Sequence, residues 1–169
     1  MQDQLLALYR RDRKVGANEA PRFDLAANVA EDAQNERILV FGRDLVVFGK
    51  GFLRGTGYVA LGVGFADAKD VLSVTTRDLT GDGRAEILVR GVLHKKAPKE
   101  LGTGTVEREV LLVYAVEDGK LVRIFGAETG MSLAGNRLTS TIAFVPGARG
   151  TTLIFGAGSS VGWDEKTFP

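Results

Sequence analysis

Asp78, Asp82 and Glu86 alternate with small residues in RDLTGDGRAEILVRG, residues 77–91, and Gly83 follows directly on Asp82. If Asp78 is the first position of a metal loop, Thr80 is third, Asp82 fifth, Gly83 sixth, Arg84 seventh through its carbonyl, and Glu86 ninth. Alternate positions turn the same way, so these oxygens are spaced to face one ion. Hard oxygen donors of this kind suit calcium, which accepts an irregular cage, better than magnesium, which demands an octahedron. A helix-loop-helix calcium site would need a bidentate Glu at the twelfth position. Val89 stands there, inside a strand-like run, so that motif is excluded. The competing reading is a bare turn, in which Asp and Gly supply backbone conformation and Arg77 and Arg84 satisfy the acids.

Other chemistry fails on context. GSSVG at 158–162 has the spacing of a nucleophile elbow around Ser160, yet that device needs a following helix and a later histidine. The sole histidine, His94, precedes Ser160 and opens HKKAPKE, whose composition predicts a solvated loop. No Cys/His zinc set can be built, because the chain has no cysteine and one histidine. GVGFAD and FGKGF each lack parts of a phosphate-binding loop. A non-enzymatic protein is the expectation.

These residues need a scaffold, and the bulk numbers describe one. The chain has 169 residues, 44% of them hydrophobic, enough for a single domain with its own core. Its 22 basic and 21 acidic residues leave a net charge of +1, which provides no one-sided field for nucleic acid. No run approaches the ~18 apolar residues of a membrane span, and the N-terminus lacks the order of a secretion signal.

Helix is expected only at the front, residues 1–36. In QDQLLALYRRDRK, Leu5, Leu8 and Tyr9 share a helical face, and the basic residues gather where the macrodipole favours them. FDLAANVAEDAQNE suggests a second helix with Asp24 as its N-cap. From residue 37 to 169, β-branched and aromatic runs separated by glycine predict an antiparallel β domain of about nine strands. Asp118-Gly119 predicts a two-residue hairpin turn, and Pro146-Gly147 a longer hairpin loop. LHKKAPKELGTGT reads as a polar excursion at the sheet's rim. The helical front end is expected to cover an open edge or a barrel mouth.

The pattern Asp-x-Thr-Gly-Asp-Gly-x-x-Glu-Ile-Leu-Val, loop followed at once by strand, resembles the FG-GAP and VCBS-type repeats of bacterial surface proteins and integrin heads. The likeness is close over residues 74–93 and loose to about 125. In that family the loop joins two strands of a propeller blade, and the resemblance implies calcium held by Asp78, Asp82 and Glu86. Thr80 stands where many members carry Asp or Asn, which leaves fewer charges on the ion. The acidic signature occurs once, whereas a propeller needs about four to eight blades. Either other blades, without the signature, lie outside these residues and the domain is partly propeller-like, or this is a self-contained sandwich or small barrel that borrows one blade-like motif; the self-contained β domain is the expectation.

Two functions follow. One is a calcium-binding, non-catalytic β module of a larger cell-envelope or extracellular protein, serving adhesion, assembly or ligand display towards a protein or surface partner. Its extracytoplasmic setting comes from the resemblance alone. The other is a small-ligand-binding or accessory β domain in which the acidic loop is only a turn. Phe52, Tyr58, Trp163 and Phe168, each near glycine, are candidates for a binding face, although aromatic residues in β proteins more often fill the core.

Overall fold

The computed structural model describes residues 2–50, 52–99, 103–164 and 166; Phe168 lies outside them. Helix α1 spans Gln2–Arg13, with Asp3 in its first turn and Arg10, Arg11 and Arg13 in its last. It ends where Lys14 turns to φ 56° and Val15 N–H reaches back to the Arg10 carbonyl at 2.9 Å. The Arg10 guanidinium is occupied by the carbonyls of Gly16 and Glu19, each at 2.7 Å.

The strands form two antiparallel meanders. The first sheet runs in the order β1 (Phe23–Ala27), β2 (Glu36–Phe41), β3 (Asp44–Phe48), β4 (Val59–Gly62). The second contains β5 (Val71–Arg77), β6 (Glu86–Lys96), β7 (Thr105–Glu117), β8 (Lys120–Leu133), β9 (Asn136–Gly147) and β10 (Gly150–Val161), likewise in chain order. The architecture is thus mainly β with one short N-terminal helix, and the second sheet curls into a half-barrel. Bulges in the β7–β8 pairing at Glu109/Val110 and Val113/Tyr114 add to its bend. The Asp118-Gly119 turn is as expected, with φ of 48° and 72° and Glu117 facing Lys120.

RILVF and DLVVF are nearly unbroken apolar runs because the first sheet is covered on both faces. Ile38, Val40, Leu45 and Val47 meet Val74, Ile87, Val89 and Leu112 of the second sheet. Leu39, Phe41, Val46 and Phe48 point the other way and receive Leu5 and Tyr9 of α1. Each such side chain contributes about 1.5–3 kcal/mol by leaving water. The helix therefore packs on a sheet face, not on an edge or a barrel mouth, because the alternate residues of β2 and β3 leave a second apolar surface to cover.

Three other expectations are corrected. Phe23–Ala27 is strand β1, paired with Glu36–Val40, and the Asp24 carboxylate binds the Arg37 guanidinium at 2.7 Å instead of capping a helix. The helical part of the 1–36 segment is thus α1 alone among the described residues. The β9–β10 loop is short: Gly147 faces Gly150 in register, and Pro146 belongs to the strand, opposite Thr151. Proline is tolerated there because β8 pairs β9 only up to Thr139, so no ladder partner requires its missing N–H. Finally, strand β6 continues through His94 to Lys96.

That limited β8–β9 pairing, Gly130–Leu133 with Asn136–Thr139, lets the β9–β10 hairpin leave its neighbour and fold across the outer face of β5–β7. Ile142, Phe144 and Leu153 land on Leu88, Leu111 and Val113. Arg77 stacks on the Phe144 ring, 4.8 Å from its centroid.

Candidate metal loop and its clasp

The acidic loop connects β5 to β6 and lies under the tip of the β9–β10 hairpin. Asp78 folds back on the loop: its Oδ1 accepts the Gly81 N–H at 2.6 Å and its Oδ2 the Gly83 N–H at 2.9 Å. Gly81 and Gly83 both take positive φ, 78° and 85°, which presents those N–H groups to the carboxylate. Glu86 is buried; its Oε2 accepts the Leu79 N–H at 2.6 Å and its Oε1 the Thr80 hydroxyl at 3.3 Å. Asp82 turns outward. Its Oδ1 accepts the Arg84 N–H at 2.9 Å, and its Oδ2 takes the Arg84 guanidinium at 2.7 Å. Those two contacts, the backbone one first, hold its carboxyl below the usual carboxylate range.

The structure therefore brings Asp78, Thr80, Asp82, Arg84 and Glu86 into one loop but aims their polar groups at one another. Every carboxylate oxygen of the three acids accepts a hydrogen bond from the protein. No cluster of three or more His, Asp or Glu side chains able to hold a metal occurs among the described residues. In this arrangement the donors do not fit a calcium ion without rearrangement.

Distant segments close on the loop from two sides. Asn28, beyond β1, donates its side-chain amide to the Gly83 carbonyl at 3.2 Å, and its own carbonyl accepts the Ala85 N–H at 2.7 Å. From the hairpin tip, the Thr151 N–H bonds the Leu79 carbonyl at 2.7 Å and the Thr151 hydroxyl the Asp78 carbonyl at 3.2 Å.

The other singled-out residues are dispersed. Ser160 sits in β10 and donates its hydroxyl to the Trp163 carbonyl, with no helix after it among the described residues. Phe52 is buried in the main core. Tyr58 meets Tyr9 edge-on at 5.4 Å and donates to Asp12 at 3.1 Å. Trp163 packs beside Ala97, Val106, Met131 and Leu133. These aromatics do not share a face.

One polar cluster escaped the sequence reading. His94 is not in a solvated loop: its Nε2 lies 3.1 Å from the Asp70 carboxylate, which is 4% exposed. Burial works against the Asp70 charge. The bond from His94 and the Asp67 N–H at 2.9 Å outweigh it, so the carboxyl sits below its usual range. Glu107 stands 3.7 Å from the other ring nitrogen. The signal was the apolar alternation of β6 running on past Gly91, which the basic pair after His94 obscured. Among the described residues, His94 has no hydroxyl partner to activate.

No family model, curated protein or solved structure matches the chain.

Proposed function

We propose that the chain is a non-catalytic accessory β module in which the acidic loop is a structural clasp. The single observation that carries this is the full satisfaction of the three carboxylates by N–H and O–H groups of the protein itself. The clasp shapes the β5–β6 turn so that the Leu79 and Asp78 carbonyls stand ready for Thr151. It thereby holds the β9–β10 hairpin across the outer face of the half-barrel. Backbone amide exchange tests this directly. In chelator, the Leu79, Gly81 and Gly83 amides are protected, and Asp78→Ala exposes the two glycine amides while the four-stranded sheet keeps its protection. Unprotected amides in the parent protein would end the proposal.

Calcium binding is the second reading, favoured by the loop pattern and by one feature of the surface. Thr80, Asp82, Glu86 and Glu117 border a single hollow of about 100 Å³. An ion there would require Asp82 to leave Arg84. The adhesion or assembly role in an extracytoplasmic protein belongs with this reading.

A further inference from the structure

Folding the β9–β10 hairpin over β5–β7 leaves a cavity of about 400 Å³ between the two layers. That volume lies within the range of small-molecule sites. Its chemistry is two-sided. Leu88, Leu111, Ile142 and Phe144 supply an apolar lining, while Arg77 and Arg90 carry positive charge to its walls. Ser73 and Ser140 add hydroxyls from opposite layers.

The two arginines differ in how far they are occupied. Arg90 is 3.7 Å from Glu109, whose other carboxylate oxygen is bound more closely, at 2.6 Å, by Arg137. Arg77 makes no ion pair among the described residues, and its guanidinium stacks on Phe144. Stacking uses the face of a guanidinium and leaves its in-plane N–H groups free to take a carboxylate. Register sets the two charges apart along the sheet: Arg77 faces Glu86, whereas Arg90 faces Ser73. Between them Leu88 is paired with Thr75, so this stretch of wall offers one apolar side chain and one hydroxyl.

From this geometry we infer that the cavity under the hairpin is a binding site for a small amphipathic monocarboxylate. Its carboxylate pairs with Arg77, and its apolar body lies against the Leu88, Leu111, Ile142 and Phe144 surfaces that line the cavity. Arg90, half engaged by Glu109, stands at the far end, away from the carboxylate. The inference goes beyond the clasp proposal, because an acidic loop that also bound calcium would leave the same cavity beneath the hairpin.

Octanoate and its neutral counterpart octanamide are suitable probes, followed by titration calorimetry and by amide chemical shifts of the whole chain. Octanoate binds saturably at or below about 1 mM and shifts resonances of β5, β6 and β9. Arg77→Gln keeps an N–H donor, removes the charge and the guanidinium fork, and weakens octanoate about tenfold, with octanamide much less affected. Arg90→Gln weakens octanoate by less, and Arg77→Lys, which keeps the charge and most of the affinity, serves as the second variant should Arg77→Gln fail to fold. Absence of saturable octanoate binding to the parent protein would overturn the inference. So would equal affinity for octanoate and octanamide, or shifts confined to surfaces outside the cavity.

Discussion

Gly81 of the acidic loop and Gly150 at the hairpin tip touch backbone to backbone. A Cβ on Gly81 would lie 2.8 Å from the Gly150 nitrogen, and one on Gly150 2.7 Å from the Thr80 carbonyl oxygen. Both residues also take positive φ, 78° and 113°. Two segments remote in sequence are thus fitted so closely that neither accepts a side chain.

Gly150→Ala is the first consequence. Strain at φ 113° and the clash with Thr80 together cost about 1–3 kcal/mol. The melting temperature falls, and amide exchange rises first in β9 and β10. Loss of protection that begins instead in β2 and β3 would show that the tip contact does not hold the hairpin.

Much of this fold was readable from the chain. The apolar runs of β2 and β3, the Asp118-Gly119 turn and the amphipathic α1 each announce themselves locally. FDLAA does not, because five residues of mixed polarity have no decisive period, and pairing with β2 makes them a strand. The lengths of β8 and β10 were also hidden, since both strands run through glycines that look like breaks. At the acidic loop the residue types were legible and their partners were not. Asp78 and Glu86 take their partners from within the loop, and the loop is met from outside by Thr151 and Asn28, which no local pattern connects to it.

Glu36 yields a prediction about pH. Its side chain is fully buried, and burial raises its carboxyl above the ordinary 4.5 against the lowering effect of the Val29 and Ala30 N–H groups that its Oε2 accepts. An acid with a raised folded pKa is held protonated more tightly by the native state. Stability therefore declines as pH rises from the unfolded value through the folded one. Glu36→Gln retains an acceptor for both amides and removes that decline. Urea unfolding across this range gives a flatter profile for the variant, and parallel profiles would refute the assignment.

His94→Leu leaves the buried Asp70 carboxylate without its ring partner. The expected loss is about 1–3 kcal/mol near neutral pH. For the parent, the lowered carboxyl of Asp70 means that its contribution is present above the ordinary value of 3.8 and disappears as pH falls through the folded value. Denaturant melts should accordingly show the His94→Leu deficit shrinking in strong acid; a deficit independent of pH would assign it to packing alone.

Thermal melting of the parent protein and of Asp82→Asn, each in chelator and in millimolar calcium, tests the clasp most directly. An ion that binds only the folded chain at 100 times its dissociation constant would add about 2.7 kcal/mol. With the Asp78, Asp82 and Glu86 oxygens already satisfied by the protein, the parent melts at the same temperature with and without calcium. Asp82→Asn loses only an exposed ion pair, about 0–1 kcal/mol, and is equally indifferent to the ion. A rise in the parent's melting temperature with calcium that the variant lacks would contradict the clasp and establish the metal site in its place.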